Sequence, residues 1–273
     1  MDETVRRDWE IIHFENNDAS TKDETIATEF PLTIMVNGTE FATMVCSPVN
    51  IQALLVGFLA SEGVIRAYSE ITSMDIDMEF GFAYIEIGRP LDSLEADHSK
   101  RFIGSCCGKS RQFYLKNDVK TAKTVMSKQI ISARQCYDLM EKLHHASTHF
   151  KETGGVHNAA LCCGNDILSI HTDIGRHNAL DKIYGDILMN EISLKDKWIV
   201  FSGRVSSEVL LKISKIGIGI LVSKSAPTDL ALNLANDLGI TVIGFVRDRK
   251  MNVYTHPQRI AEVKNTKQSQ LSF

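Results

Sequence analysis

The chain has 273 residues, 44% of them hydrophobic and 23% charged, and a formal net charge of −4. That length can bury a sizeable core in one large domain or two small ones, and the composition is that of an ordinary soluble globular protein. The mild acidity gives no reason to expect nucleic acid or an anionic membrane as partner, and the longest apolar runs, such as 216–222, are far too short to cross a bilayer.

The chain opens on Met1-Asp2-Glu3-Thr4, acidic where a secretion signal is basic and then apolar, so a cytoplasmic protein is expected. Residues 1–28 are polar, with few apolar positions, and read as a flexible N-terminal arm. A hairpin follows: Leu32, Ile34 and Val36 alternate, Asn37-Gly38 supplies a type I′ turn, and Phe41, Thr43 and Val45 resume the alternation. Ser47-Pro48 has the form of an N-cap with proline at the first helical position. The helix it opens carries Ile51, Leu54, Leu55, Phe58 and Leu59 on one face and stops at Gly63. Strand-like runs at 71–76 and 82–87 complete a small α+β unit. Residues 88–131 are less regular and hold the pair Cys106-Cys107. Ser132-x-x-Gln135 is a capping box opening a helix to about residue 150, closed by Thr153-Gly154-Gly155. Residues 157–163, a Gly164-Asn165 turn and 166–171 read as a second hairpin. Thereafter helices at 174–189, 205–216 and 227–238 alternate with short apolar strands at 197–202, 218–223 and 240–246, the pattern of parallel βαβ crossovers. The expected organisation is an arm at 1–28, a smaller α+β domain at 29–131, an α/β domain at 132–262 and a polar tail at 263–273.

In an open parallel sheet, ligands bind beyond the carboxyl ends of the strands, against helix N-termini. Four turns fall there: Asp173-Ile174-Gly175-Arg176-His177, Ser202-Gly203-Arg204, Ser223-Lys224-Ser225-Ala226-Pro227-Thr228, and Phe245-Val246-Arg247-Asp248-Arg249-Lys250. Each carries a cation, and the small residues permit close backbone approach, which suits a phosphate-rich ligand. Ordinary caps and solvated loop cations are the alternative. No P-loop or dinucleotide fingerprint is present. His177 is placed to donate to an anion or to cap its helix.

Six cysteines are too few for a disulfide scaffold in a chain of this size, and the vicinal pairs could bridge only with strain, so all read as thiols. Cys106-Cys107 is the reactive candidate. Gly104, Ser105 and Gly108 make the loop at 102–112 mobile, and the cations Arg101, Lys109 and Arg111 favour thiolate. Cys46 and Cys136 lie on an apolar strand and an apolar helix face, and the pair Cys162-Cys163 lies in a buried-looking strand with no basic neighbours, so all four read as packing residues. His157-Asn158-Ala159 lacks the H-x-E of zinc deaminases, and no P-C-x-x-C accompanies it, so no metal site is expected.

The segments 101–109, 153–157, 173–182, 202–204, 225–228 and 244–255 together resemble the FdhD family, the formate dehydrogenase accessory sulfurtransferases, over about 30–260. The resemblance implies a cytidine-deaminase-like layered α/β fold for the second domain, without the deaminase zinc, and a homodimer. It implies that the chain takes persulfide sulfur from a cysteine desulfurase and passes it to bis-molybdopterin guanine dinucleotide, bound as acceptor, for the catalytic subunit of formate dehydrogenase. The family loop commonly reads Cys-x-x-Cys-Gly. Aligning its second cysteine on Cys107-Gly108 puts Gly104 at the first, so Cys107 is the expected carrier and Cys106 an assistant or stand-in. The stretch Phe245 to Lys250 matches the family's guanine dinucleotide segment. Two rival readings use the same residues: a non-catalytic cofactor chaperone, and a thiol redox protein acting through Cys106-Cys107.

Overall fold

The structure is a computed structural model that describes residues 6–90, 102–103 and 122–263. Most of the tail at 263–273 lies outside that range. The first element corrects the reading of residues 1–28 as a flexible arm: β1 (Arg6–Glu15) and β2 (Asp18–Ala27) form an antiparallel hairpin of ten paired rungs. Asn16 and Asn17, at φ 49° and 78°, make the two-residue turn. Neither face of this hairpin is buried, so the polar-inside-apolar contrast that betrays a strand was absent.

A five-stranded sheet follows, in the order β5-β6-β3-β4-β7. It comprises β3 (Phe30–Val36), β4 (Thr39–Cys46), β5 (Ile71–Asp77), β6 (Phe82–Ile87) and β7 (Phe102–Ile103). β3 and β4 pair around the expected Asn37-Gly38 turn. Helix α1 (Ile51–Ser61) begins later than Ser47-Pro48 implied, with Asn50 as its N-cap. Ser47 is taken by the second half of the chain instead: its N–H donates to Asp173 Oδ2 (3.1 Å) and its Oγ accepts from the Ile174 N–H (3.0 Å).

The larger sheet has six strands in the order β13-β12-β11-β10-β8-β9. These are β8 (His157–Cys163), β9 (Asp166–Asp173), β10 (Lys197–Phe201), β11 (Ile220–Ser223), β12 (Thr241–Arg247) and β13 (Lys250–Val253). β10, β11 and β12 are parallel as the crossover pattern requires; the outer pairings are antiparallel, and β13 is an edge strand the sequence pattern did not reveal. Side chains alternate between two cores. Leu161, Ile199, Phe201, Leu221 and Val242 pack on one face with α1, α4 (Arg176–Met189), α5 (Ser207–Ile216) and α6 (Asp229–Leu238). Cys162, Trp198, Val200, Val222 and Ile243 pack on the other with α2 (Ala133–Ala146). The helix expected to run to residue 150 breaks at Ser147, whose hydroxyl donates back to the Leu143 carbonyl, and continues as α3 (Thr148–Thr153).

The two sheets share the first of these cores, because α1 packs against α4 at backbone contact distance. A Cβ on Gly57 would sit 1.8 Å from the Asp181 carbonyl oxygen, and one on Gly185 would sit 1.9 Å from that of Ala53, so only glycine permits the crossing. Polar groups pin the same junction. Lys182 is fully buried and bridges Asp173 Oδ2 (2.7 Å) and the carbonyls of Thr172 and Ser47. Asp181, also buried, accepts from Lys212 (2.6 Å) and Ser61 (2.7 Å). No helix among the described residues is long and apolar enough to cross a membrane.

Candidate functional site

β8 is antiparallel to both β9 and β10, so β9, β10, β11 and β12 all run the same way. Their carboxyl ends at Asp173, Phe201, Ser223 and Arg247 therefore share one sheet edge, and the four cation-bearing turns read from the sequence all leave that edge. The turns are laced to one another. The Ser202 N–H donates to the Asn158 carbonyl and the Asn158 N–H to Ser202 Oγ (2.9 Å). Ser223 Oγ donates to the Gly203 carbonyl (2.8 Å), the Lys224 N–H to Phe201, and the Phe245 N–H to Ser225. Gly203 lets its loop press onto α4: a Cβ there would lie 2.7 Å from Phe201 Cζ and 3.4 Å from Arg176 Cβ.

At this edge lies a cavity of about 160 Å³. His157, Asn158, Ser202 and Lys224 come from the strand ends; His144 and Phe150 belong to α2 and α3. Charge gathers round it. Burial, then the Arg176 guanidinium, pushes the His157 imidazole below its ordinary value, and Lys224 is the main cause of a similar fall at His144. His177 is driven down to about 3 by burial, with Lys212, Arg176 and His157 adding to the effect. It is therefore neutral near pH 7. Its Nε2 lies 3.3 Å from Glu208 Oε2 without hydrogen-bond alignment, and the contact is not an ion pair. Arg176 Nε is buried with no hydrogen-bond partner among the described residues. The helix that follows has Gly175 as N-cap and no side-chain cap, whereas α5 and α6 are capped by Ser206 and Thr228. A buried unpaired donor and an open helix start, both on a cationic edge, form an anion-receptive arrangement.

The other sequence-derived residues divide by exposure. Arg204 is exposed in its loop and Lys224 is half-buried against the cavity. Arg176 and His177 occupy the first turn of α4, so His177 neither caps that helix nor carries charge. Phe245, at φ 54°, lies in a bulge, with the Arg247 guanidinium 5.8 Å from its ring centre. Asp248 and Arg249 form a two-residue turn that pairs Arg247 with Lys250, and all four are exposed. The Val246 side chain is buried in the core beside α2, so only its backbone could meet a ligand. His144 and Asn158 were not singled out as site residues from the sequence. His144 belongs to an amphipathic helix and Asn158 to an apolar strand, so neither showed a local signal.

Cys106 and Cys107 lie outside the described residues. The chain approaches them along β7, which pairs parallel with β4 at Thr43↔Phe102 and Met44↔Ile103. β4 runs on to Ser47, which touches Asp173 and Ile174 at the carboxyl edge. Cys107 is four residues beyond Ile103, a span of at most about 14 Å. Burial pushes the thiols of Cys46, Cys136 and Cys162 up to about 12, so these three are protonated packing residues. Cys163 departs from the expected absence of basic neighbours: Lys197, opposite it on β10, brings Nζ to 3.4 Å from its sulfur. Among the described residues, no group of three His, Cys, Asp or Glu converges as metal ligands would.

The neutral state of His177 gives a pH signature. Its folded pKa lies below its ordinary 6.5, so the unfolded chain binds the extra proton. Stability is full above about pH 6.5 and falls as pH drops toward 3. Between pH 7 and 5 the loss should reach about 1–2 kcal/mol, the lower figure allowing for the quarter of the side chain that is exposed. Urea unfolding at both pH values should show a smaller loss in His177→Gln than in wild type; equal losses would refute the assignment.

The model of the FdhD/NarQ family matches residues 27–261. The sulfur carrier protein FdhD of Bacillus subtilis (strain 168) is 53% identical over 262 residues, covering 96% of this chain and all of the relative. The protein of the same name from Geobacillus kaustophilus is 56% identical over 250 residues, 92% of this chain and 95% of its own length. A crystal structure from Desulfotalea psychrophila has the same fold, with a TM-score of 0.76 at 24% identity, over 94% of this chain and 99% of that one.

Proposed function

Since the chain belongs to the FdhD/NarQ family, we propose that it is a sulfur carrier acting as a sulfurtransferase in support of formate dehydrogenase. In this reading the Cys107 thiolate attacks the terminal sulfur of a persulfide on a cysteine desulfurase. The new bond makes Cys107 the persulfide, and the donor cysteine leaves as thiolate. In the second step the acceptor, bis-molybdopterin guanine dinucleotide, would donate the electron pair that takes the terminal sulfur, the S–S bond would break and Cys107 would leave as thiolate, with the acceptor's diphosphates held at the carboxyl edge. The observation that supports the reading is the coincidence of two features: β7 pairs parallel with β4, whose strand leads to Ser47 at the carboxyl edge, and that same edge holds both the cavity and the buried, unpaired Arg176 Nε. Neither the chaperone reading nor the redox reading requires thiolate chemistry and an anion site side by side.

Of the exposed arginines of the edge turns, Arg204, Arg247 and Arg249, the first two are assigned to the diphosphate. Guanine nucleotides, as fragments of the acceptor, should bind more tightly than adenine ones. Losing one charge-assisted contact costs about 1.5–3 kcal/mol, so Arg204→Ala or Arg247→Ala should weaken GDP binding roughly ten- to a hundredfold by calorimetry. If GDP fails to bind, or binds both variants as it binds wild type, the cationic turns are ordinary caps.

A further inference from the structure

The cavity at the carboxyl edge is lined by hydrogen-bond donors and, among the described residues, by no Asp or Glu. Asn158 is only 2% exposed. Its Oδ1 accepts from the Thr172 hydroxyl, while its Nδ2 group donates to no described residue. Ser202 Oγ accepts from the Asn158 N–H, which leaves the hydroxyl proton free to donate. The Lys224 ammonium and the rings of His144 and His157 make no hydrogen bond or ion pair with any described residue. A buried amide and an ammonium, both with donors to spare, call for an acceptor between them. A phosphate group presents three strong acceptor oxygens and matches several donors at once.

We propose that this cavity takes a phosphate group of the ligand and that its binding draws a proton from solvent onto His144 or His157. The inference rests on the anion-holding edge of the proposed function and adds to it a dependence on pH. Cations surround both rings. His144, on α2, faces Lys224 from the turn after β11, Lys151 from α3 and His145 beside it; the Lys224 charge is the first cause of its weakened hold on a proton and burial the second. His157, at the start of β8, is held low first by burial and then by Arg176 of α4. Asp173 of β9 pulls the other way, but its charge is taken by Lys182. An anion beside Lys224 cancels the field that keeps His144 neutral, and the imidazolium then formed donates to that anion. A ring whose pKa is higher with the anion bound than without it takes up a proton on binding. Affinity therefore rises as pH falls through the bound-state pKa and levels off below the free-state one. The ligand is gripped at lower pH and released as pH rises.

Sulfate is the probe, because it stays a dianion from pH 6 to 8 and any proton taken up belongs to the protein. Calorimetric titration of the full chain at constant ionic strength should show affinity for sulfate rising about three- to tenfold from pH 8 to pH 6. Lys224→Gln should lose the binding. His144→Gln with His157→Gln should keep binding at pH 8 and lose the rise toward pH 6. Ring NMR of the wild type should show the titration midpoint of His144 or of His157 moving up when sulfate is added. Binding that survives Lys224→Gln would mark an adventitious ion only. That result, an affinity equal at pH 6 and 8, a pH dependence kept by the double variant, or two unmoved ring midpoints would each overturn the inference. Sulfur loading of Cys107 needs no anion in the cavity and so separates the two readings. Intact loading without proton-linked binding sinks this inference alone, and proton-linked binding without loading sinks the sulfurtransferase alone.

Discussion

Cys107→Ser is expected to abolish both the sulfur loading of this protein and its support of formate dehydrogenase. Incubation of wild type with cysteine and a cysteine desulfurase should add one sulfur mass, seen by mass spectrometry and mapped to Cys107. The expectation rests on the basic, glycine-flanked segment around that residue, where cations favour the reactive thiolate. Internal controls are available in the same molecule. With thiols pushed to about 12, Cys46, Cys136 and Cys162 are thiolate in only about one molecule in 10⁵ at pH 7, so none should load. Cys106→Ser should retain the adduct. An adduct that survives Cys107→Ser but disappears in Cys106→Ser would move the carrier role to Cys106. Normal loading and normal support in both single variants would end the sulfurtransferase reading.

Lys182→Met should be the most destabilising single change at the junction of the two sheets. The ammonium and the Asp173 carboxylate are both fully buried at 2.7 Å, and Asp173 also accepts from the Ser47 and Gly175 N–H groups and the Asn178 amide. Removing the cation strands a carboxylate that burial already biases toward the neutral form. Breaking a buried pair from one side costs about 3–5 kcal/mol, a large part of the roughly 5–15 kcal/mol that holds a domain together. Replacing both partners, Asp173→Asn with Lys182→Met, should cost less than the two single changes summed, because no unpaired charge remains. Arg134→Ala, which breaks an exposed pair with Asp138, should change stability by about 0.5 kcal/mol or less. Urea midpoints measure all four. A Lys182→Met protein within about 1 kcal/mol of wild type would show that the pair does not hold the junction. Because Asp173 also fixes Gly175, the same variant should loosen Arg176 and His177 at the site.

Where a signal was local, it could be read in the sequence. The Asn37-Gly38 turn, the Ser132–Gln135 capping box and the crossover strands β10 to β12 depend on neighbours a few residues away, and each is in its expected place. The cationic turns at Arg176, Arg204, Lys224 and Arg247 were legible for the same reason, since strand ends and helix starts mark them. Signals that depend on burial from afar were not. The β1–β2 hairpin has no buried face, so periodicity could not separate it from an arm. The segment Asp173 to His177 reads as a phosphate-binding turn, yet Asp173 is buried, and Asn178, Asp181 and Lys182, which follow it, are buried structural residues. Only the tertiary contact with Ser47, Val45 and Ser61, more than a hundred residues away in the chain, decides that role. Local chemistry along the chain determined which elements form and where anions could be met. Packing of α1 on α4, possible because Gly57 and Gly185 let the two backbones touch, decided which polar residues stay at the carboxyl edge and which are sealed between the sheets.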